Sequence, residues 1–244
     1  MENYLKIDIN ADVGEGTNNE ELLFPLISSC NIACGGHAGD YNTMEKIVRL
    51  AVENNLKIGA HPSYPDKENF GRKKISISKK ELIKSIFKQV NSLKNILDEK
   101  KINLNHIKPH GALYNYAFND TETSDILIQI AKDFKTKLFT PYKSVTSKRA
   151  KNNSIEYFNE VFLDRNYNSD LTLVSRSNKN ALVTDSDEMI SHAYNILKNN
   201  NVISVDGTKV KIEYDTLCIH GDNPNSIQLL KSLHKRLKKW GFKT

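Results

Sequence analysis

The feature that most constrains the fold is a recurring pattern in which a short apolar strand stops at a histidine or a carboxylate. The pattern is clearest after the β-compatible run 29–33, which is followed by Gly35, Gly36, His37 and Asp40. Glycine permits tight turns and a close approach of the backbone to a ligand. Helical sequence then resumes, so the pattern predicts an imidazole and a carboxylate on a strand-to-helix loop, beside the positive end of a helix.

The same arrangement recurs along the chain. Polar residues cluster at the ends of six apolar runs, as Asp8/Asn10/Asp12, Asn31/His37/Asp40, His61, Lys108/His110, Glu160/Asp164 and His220/Asp222. Strands that alternate with helices predict a parallel sheet. In a closed (β/α) barrel the carboxyl ends of the strands converge on one face, where active sites lie, whereas an open sheet would spread them along an edge. Since four of the seven histidines lie at strand ends, we predict a barrel.

Apolar periodicity and turn signals locate the individual elements. Strands are predicted at 5–9, 29–33, 56–60, 106–108, 137–140, 155–158 and 216–219, with a hairpin at 202–212. Helices are predicted over 125–134 and 226–240 and after the capping residues Asn42, Ser78 and Asp185, the first two of which have capping-box spacing to Glu45 and Glu81. No linker, low-complexity tract or repeat interrupts the chain, so a single domain over 1–244 is expected.

Composition indicates which binding partners and which cellular compartment to expect. The net charge of +6 arises from 35 Lys+Arg against 29 Asp+Glu, and the densest basic cluster, at 231–239, has no accompanying nucleic-acid-binding motif. We interpret that cluster as the solvated face of a terminal helix and expect no nucleic-acid partner. Three cysteines favour a reducing compartment, and neither a signal peptide nor an apolar run of about 20 residues occurs. A cytoplasmic location and no membrane association are expected.

The polar residues allow more than one chemistry. Asp12, His37, Asp40 and His61 are ligand types for a divalent cation, but their spacing matches no closed zinc motif, so the metal question stays open. Acid–base chemistry at a carbonyl is the alternative. Lys108 is either a fixed cation facing a developing anion or an ordinary strand-end lysine. No P-loop, GxGxxG or GxSxG motif occurs.

Six segments, in order and over nearly the whole chain, resemble the LamB/YcsF family, which forms the A subunit of the prokaryotic ATP-dependent 5-oxoprolinase. They are IDINADVGEG (7–16), NIACGGHAGD (31–40), IGAHPSYPD…NFGR (58–72), IKPHGALYN (107–115), EVFLDRNY (160–167) and CIHGDNP (218–224). The resemblance implies a distorted (β/α) barrel of the glycoside hydrolase/deacetylase type. It also implies ATP-driven cleavage of 5-oxo-L-proline to L-glutamate, with ATP bound together with Mg²⁺ and with the B and C subunits as partners.

The resemblance also implies roles for individual residues. Catalysis is expected from Asp12, His37, His61, Lys108 and His110. Binding of substrate or phosphate is expected from Asn10, Glu15, Asp40, Arg72, Glu160, Asp164, Arg165 and His220. Two departures from the family pattern concern the rim of the site: the segment 140–144 replaces a glycine-rich loop, and 170–176 lacks a glycine of the family's DG-x-L-V-x-R motif.

In the lactam-opening reaction, we expect phosphorylation of the carbonyl oxygen to create the electrophile. Lys108 and Arg72 would neutralise anionic oxygens, and one of His37, His61 and His110 would activate water. A competing enzyme hypothesis is a metal-dependent deacetylase in which Asp12, His37 and His61 hold the ion. A hypothesis from another class is a non-catalytic scaffold or small-molecule-binding protein of the complex, against which the polar strand ends argue.

Overall fold

The computed structural model describes residues 4–244, in which strands and helices alternate. The strands in this range are β1 (Leu5–Lys6), β2 (Asp8–Val13), β3 (Ser29–Ala33), β4 (Lys57–His61), β5 (His106–Ile107), β6 (Lys137–Pro141), β7 (Tyr157–Phe162), β8 (Asn201–Ile203), β9 (Lys209–Lys211), β10 (Thr216–His220) and β11 (Phe242–Lys243). The helices are α1 (Glu20–Leu23), α2 (Tyr41–Glu53), α3 (Lys79–Glu99), α4 (Gly111–Tyr116), α5 (Thr121–Phe134), α6 (Val145–Asn152), α7 (Ser186–Asn199) and α8 (Ser226–Leu237), with 3₁₀ turns at Phe24–Leu26 and Lys238–Trp240.

Parallel strands close into a barrel in the order β10-β2-β3-β4-β5-β6-β7, and β10 pairs with both β2 and β7. The register aligns the strand ends: Asp12 lies opposite His220 on β10 and opposite Asn31 on β3. The barrel predicted from the sequence is confirmed. Because all these strands run in the same direction, their carboxyl ends form one face.

Alternation along β2 separates two environments. Ile9, Ala11 and Val13 belong to the apolar core. The intervening Asp8 and Asn10 bond to polar groups of neighbouring strands, with Ser29 donating to Asp8 Oδ2 (2.7 Å) and Asn10 donating to Thr216 Oγ1 (2.8 Å). Successive strand residues point to opposite faces, so one face of β2 packs on the helices and the other on a polar barrel interior. Buried polar groups are tolerated there because they are paired.

The helix starts confirm some predictions and correct others. Ser78 and Glu81 form the predicted capping box of α3, and Asp185 caps α7 by accepting from two backbone N–H groups. The prediction for α2 was wrong, because Asp40 rather than Asn42 is its N-cap and accepts from Thr43 N at 2.8 Å. Asp40 has an extended backbone conformation, as an N-cap residue does, so α2 begins two residues earlier than the capping-box spacing of Asn42 indicated.

The remaining elements differ from the predictions mainly at their ends. The run 5–9 divides between β1, which pairs with β11, and β2 of the barrel. α5 begins four residues before the predicted start, at Thr121, because Asp120 accepts from Thr123 N. β7 runs on to residue 162, and the predicted hairpin is present as the antiparallel pair β8–β9. Within 4–244, none of the helices combines the length and the apolar character needed to span a bilayer.

Candidate active site

A pocket of about 530 Å³ opens among the carboxyl ends of the barrel strands. This volume lies in the range of small-molecule sites. Most of the predicted site residues line it, namely Asp12, Glu15, His61, Arg72, Lys108, His110, Glu160, Arg165 and His220. His37 lies directly behind this lining, in contact with Glu15. The predicted convergence of Asp12, His37, His61, Lys108 and His110 on one face of the barrel is therefore confirmed.

Glu15, His37, His61 and His110 form a compact group, here called the histidine cluster. Glu15 Oε1 lies 2.8 Å from His37 Nε2, 3.2 Å from His110 Nδ1 and 3.7 Å from His61 Nε2. His61 Nε2 is 3.0 Å from His110 Nδ1. The rings of His37 and His110 stack with their centroids 3.6 Å apart. Four successive barrel strands, β2 to β5, thus deliver one ligand-type side chain each to a single point.

Backbone groups hold two of these rings. His61 Nδ1 donates to the carbonyl of Lys108 at 2.7 Å, and His110 Nε2 donates to the carbonyl of Phe70 at 2.9 Å. A carbonyl only accepts hydrogen bonds, so these contacts fix which ring nitrogen carries the proton. In the neutral rings, His61 Nε2 and His110 Nδ1 are therefore acceptors. The His37 side chain has a hydrogen bond only with Glu15 among the described residues, because its buried Nδ1 has no hydrogen-bond partner there.

The segment around residue 70 reaches the cluster through a close backbone contact. Ala112 N donates to the Gly71 carbonyl at 2.9 Å. Gly111 has φ +54°, and a Cβ there would lie 2.7 Å from the same carbonyl oxygen. Only glycine meets both conditions without strain. The glycine in the sequence Pro-His-Gly thus brings the Phe70 carbonyl within reach of the His110 ring.

Burial and neighbouring charges act in opposite directions on some of the pKa values in the cluster. Burial lowers the pKa of His37 to about 4 and also lowers the pKa of His110. Burial acts in the same direction on His61, but the neighbouring Asp12 carboxylate outweighs it and raises the pKa of that ring. The adjacent His110 and His37 rings overcome the burial of Glu15 and lower its carboxyl pKa. Glu15 is consequently a carboxylate, and His37 and His110 are neutral rings at physiological pH.

Lys108 lies deeper in the pocket, among buried acidic groups. Its Nζ is 2.8 Å from Asp12 Oδ1, 3.0 Å from Glu160 Oε1 and 2.9 Å from Cys218 Sγ. Lys108 is 1% exposed, and although burial disfavours its charge, the Asp12 carboxylate and its neighbours raise the ammonium pKa well above its ordinary value. Lys108 is therefore not an ordinary strand-end lysine, because the side chain of such a residue would reach solvent. The ammonium charge of Lys108 is already paired with carboxylates of the protein.

Two polar groups beside Lys108 remain free for a ligand. Neither carboxylate oxygen of Glu160 accepts a hydrogen bond from the described residues, although Oε1 is in the ion pair. The buried hydroxyl of Tyr114 also lacks a partner there, and burial together with the Glu160 charge raises the Tyr114 pKa. Both residues line the pocket. The sequence analysis did not select Tyr114, although it lies in the segment IKPHGALYN.

Asp164 and His220 form a second acid–base group at the carboxyl ends of β7 and β10. His220 Nδ1 lies 3.0 Å from Asp164 Oδ1, and the same carboxylate accepts from the His220 backbone N–H and from Asn223 Nδ2. Although burial opposes ionisation, His220 lowers the pKa of Asp164. The carboxylate therefore holds the proton on Nδ1 and leaves Nε2 as an acceptor, the arrangement of a histidine general base.

The rim of the pocket carries three arginines with different roles. Arg165 is buried and donates to the carbonyls of Ala181 (3.2 Å) and Val174 (2.6 Å), so it holds the loop that follows β7. Arg72 and Arg176 both pair with Asp222, at 2.7 Å and 3.0 Å. Sequence analysis placed Asp222 at a strand end but assigned it no role at the site. It is the residue that joins the exposed Arg72 and the half-buried Arg176 across the rim.

Three predicted binding residues are not among those that line the pocket: Asp164, which contacts His220, and the residues Asn10 and Asp40. Asn10 faces the barrel interior, where it bonds to Thr216 and Asn31. Asp40 is exposed and caps α2. The structure gives Asn10 a role in the barrel interior and Asp40 a role at a helix start.

Comparison with known proteins places this site in a family. The LamB/YcsF family model matches residues 7–244. The A subunit of 5-oxoprolinase from Haemophilus influenzae strain PittEE is 40% identical over 236 residues, which are 96% of each chain. The A subunit of 5-oxoprolinase from Staphylococcus aureus strain bovine RF122 / ET3-1 is 36% identical over 245 residues, 98% of each chain.

Solved structures agree with these relatives. The crystal structure of the lactam utilization protein from Thermus thermophilus has a TM-score of 0.90 and 32% sequence identity, covering 98% of this chain and 99% of the other. A family 4 carbohydrate esterase from Streptomyces lividans, in complex with acetate, has a TM-score of 0.54 at 10% identity, covering 98% and 91%. The second likeness shows a shared barrel fold. On the match across 7–244 and these full-length relatives, the chain belongs to the LamB/YcsF family.

Proposed function

We propose that this protein is the A subunit of an ATP-dependent 5-oxoprolinase, which opens the lactam ring of 5-oxo-L-proline to L-glutamate together with the B and C subunits. The observation that carries the proposal is the pocket at the barrel mouth, where a buried lysine, unpaired polar groups and an aspartate-oriented histidine meet. It lies in a chain 40% identical to the A subunit of a 5-oxoprolinase over nearly its full length. The three cysteines predict a reducing, cytoplasmic compartment, and an ATP-dependent reaction fits that location.

The chemistry of a lactam explains the need for a coupled reaction. An unstrained five-membered lactam is a poor electrophile, and its opening is unfavourable. When a phosphoryl group passes from ATP to the carbonyl oxygen, the O–P bond forms as the bond to ADP breaks, and the ring N–H gives up its proton. Water adds to the activated carbon, the C–N bond breaks with protonation of the nitrogen, and a second water hydrolyses the acyl phosphate to L-glutamate and phosphate.

His220 is the residue best arranged to move the protons in these steps. With Nδ1 bonded to Asp164, its Nε2 takes a proton from the adding water and returns it to the departing nitrogen. The rings of the histidine cluster are less suited to this role. Their inward nitrogens already face Glu15 or one another, at 2.8 to 3.2 Å. The structure thus favours His220 over His37, His61 and His110, which the sequence analysis had proposed for water activation.

Other pocket residues fit the charges of the ligands. Arg72, Lys73 and Arg176 give the rim three cations suited to a polyphosphate or a substrate carboxylate. Glu160 Oε1 pairs with Lys108, and its Oε2, which has no hydrogen-bond partner among the described residues, is the donor type that Mg²⁺ takes from proteins alongside substrate phosphates. Lys108 supplies a fixed positive charge at the inner end of the pocket, where preorganised charge acts strongly on a developing oxyanion. The pocket is large enough for a lactam and part of a second ligand.

A metal-dependent hydrolase remains the second candidate, and one observation favours it. The histidine cluster is a set of metal-ligand atoms within 4.8 Å of one another. The ligand set differs from the one predicted for a deacetylase, because Asp12 Oδ1 is occupied by Lys108 and Asn31 and Glu15 takes its place. Turnover of acetylated sugars with added metal, in the absence of 5-oxoproline turnover, would establish this alternative.

The test is reconstitution of the reaction from purified proteins. Glutamate release from 5-oxoproline is measured with ATP for this protein alone, for the B and C subunits alone and for all three. We expect release only from the complete set, and loss of it with His220→Asn. His234→Asn is the matched control, because His234 on α8 bonds to the Leu26 carbonyl outside the pocket. Equal release from the B and C subunits without this chain would refute the proposal.

A further inference from the structure

We propose that Glu15, His37, His61 and His110 bind a divalent transition-metal cation of the zinc type. This inference goes beyond the proposed function, because it concerns metal binding by the isolated chain and holds whichever reaction the pocket catalyses. Three imidazoles and one carboxylate form a donor set that suits zinc and its neighbours rather than magnesium or calcium. His61 ends β4, and Glu15, His37 and His110 lie in the segments that directly follow β2, β3 and β5, so each donor comes from a different barrel strand or the loop after it.

Four of the separations between donor atoms are close to those of a tetrahedral site. Metal–ligand bonds of about 2.0–2.1 Å in tetrahedral geometry place neighbouring ligand atoms about 3.3 Å apart. The distances from Glu15 Oε1 to the cluster nitrogens are 2.8, 3.2 and 3.7 Å, and His61 Nε2 lies 3.0 Å from His110 Nδ1. These four distances lie on both sides of the ideal ligand–ligand distance of about 3.3 Å. The remaining separations reach up to 4.8 Å, and His37 stacks on His110 with parallel rings, so His37 has to turn out of this stack to bind the same ion.

The proton positions show why a cation belongs there. The outer nitrogens of His61 and His110 donate to backbone carbonyls, so in the neutral rings the inward nitrogens present lone pairs to each other across 3.0 Å. Glu15 adds a carboxylate oxygen to the same space, and Asp12 Oδ2 lies 3.3 Å from His61 Nε2. Facing lone pairs and carboxylates repel one another unless a positive charge lies between them. One proton relieves one of these contacts, whereas a metal ion engages four donors at once.

The hydrogen bonds behind His61 and His110 have the form typical of metal-binding histidines. Such ligands usually donate the remaining ring N–H to a carbonyl or carboxylate, which orients the ring and raises its basicity. Here the partners are the Lys108 and Phe70 carbonyls. The Phe70 contact depends on the tight backbone approach at Gly111 described above. The loop and the strand end therefore orient the rings before any ion arrives.

Metal content and affinity of the isolated protein, freed of affinity tags, test the inference. The chain is stripped with a chelator, incubated with Zn²⁺ or Co²⁺ and desalted, and bound metal is quantified by elemental analysis and calorimetry. We expect one ion per chain, a cobalt spectrum of the four-coordinate type and zinc–ligand distances of about 2.0–2.1 Å by X-ray absorption. Absence of stoichiometric metal in the folded wild-type chain would overturn the proposal.

Variants separate this site from adventitious binding. His110→Asn and Glu15→Gln should weaken binding by more than the roughly 10–100-fold that follows loss of a group that only orients a ligand. His220→Asn, in the same pocket but bonded to Asp164, and His234→Asn, outside it, should bind as tightly as the wild type. Circular dichroism establishes that each variant is folded. Unchanged metal affinity in folded His110→Asn and Glu15→Gln variants would also refute the metal site. This result does not depend on the outcome of the glutamate-release assay.

Discussion

Replacement of Lys108 by methionine tests whether the buried ion pairs hold the site together. The variant keeps most of the aliphatic stem but removes the ammonium, which lies 2.8 Å from Asp12 Oδ1 and 3.0 Å from Glu160 Oε1. From the sequence alone, normal folding is expected, because methionine packs much as a lysine stem does. The structure changes that expectation, since both carboxylates lie in the barrel interior and lose their cation.

The expected loss of stability follows from the burial of the partners. Asp12, Lys108 and Glu160 are 4%, 1% and 2% exposed, so solvent screens them little. Removing one partner of such a pair costs about 3–5 kcal/mol, because the remaining charge stays buried and unpaired. A domain is stable by only about 5–15 kcal/mol in total. Lys108→Met should therefore fold only marginally at neutral pH.

A second substitution separates charge from packing. Glu160→Gln in the Lys108→Met background removes one of the stranded charges and should restore part of the lost stability. The pH dependence has a definite sign: a stranded carboxyl has its folded pKa raised above its unfolded value. The penalty is then present at neutral pH and shrinks as the pH falls through the raised pKa.

Urea denaturation of the three proteins from pH 5 to pH 8 measures these effects. A loss below about 1 kcal/mol for Lys108→Met at pH 7.5, the level of an exposed pair, would refute the argument from burial. Activity with the B and C subunits present should fall at least about a hundredfold, and Lys108→Arg should not restore it, because the planar fork does not reproduce a compact ammonium. Measuring the variants well below their denaturation midpoints keeps the two effects apart.

Three further predictions concern other parts of the chain. His220→Asn should lower turnover about 10²–10⁴-fold while the urea midpoint stays near that of the wild type, and full turnover would exclude it as the general base. Asp40→Ala should lower stability by about 0.5–2 kcal/mol by removing the α2 cap, with KM for 5-oxoproline unchanged, and a raised KM would return Asp40 to substrate binding. Burial lowers the pKa of His106 and His192, so the unfolded state binds more protons below its pKa near 6.5. Stability should then decline on acidification below that pH, by up to about 1.4 kcal/mol per pH unit for each ring, and His106→Gln should flatten the urea-midpoint profile.

Sequence analysis could predict the barrel and most of the pocket because both depend on local patterns. A short apolar run followed by glycine and a polar residue defines a strand end, and parallel strands bring such ends together whatever lies between them. His37, His61 and His110 were found in this way. The pairing of Glu15 with all three rings could not be predicted, since it depends on the path of the loop after β2 and on contacts across four strands.

Asp40, Asn42 and Asn10 show where local patterns stop being informative. Asp40 and Asn42 are both good capping residues, and the choice between them depends on the backbone dihedrals at the end of the loop. Asn10 resembles a site residue because barrel interiors are usually filled with branched apolar side chains. Its partners, Asn31 and Thr216, come from neighbouring strands far away in sequence, so only the register of the closed barrel reveals that it is structural.

The polar barrel interior connects the fold to the pocket. Asn31 uses both of its amide protons, on Asn10 Oδ1 at 2.7 Å and on Asp12 Oδ1 at 2.8 Å, while its oxygen accepts from His106 Nε2 at 2.6 Å. The His106 ring occupies the space beside Gly59, where a Cβ would lie 2.1 Å from Nε2. Asp12 is thereby held on one side by Asn31 and on the other by Lys108. A carboxylate fixed in this way cannot turn to follow a ligand, so Lys108 presents its charge at a position set by the barrel before substrate binds, which is the condition for electrostatic catalysis.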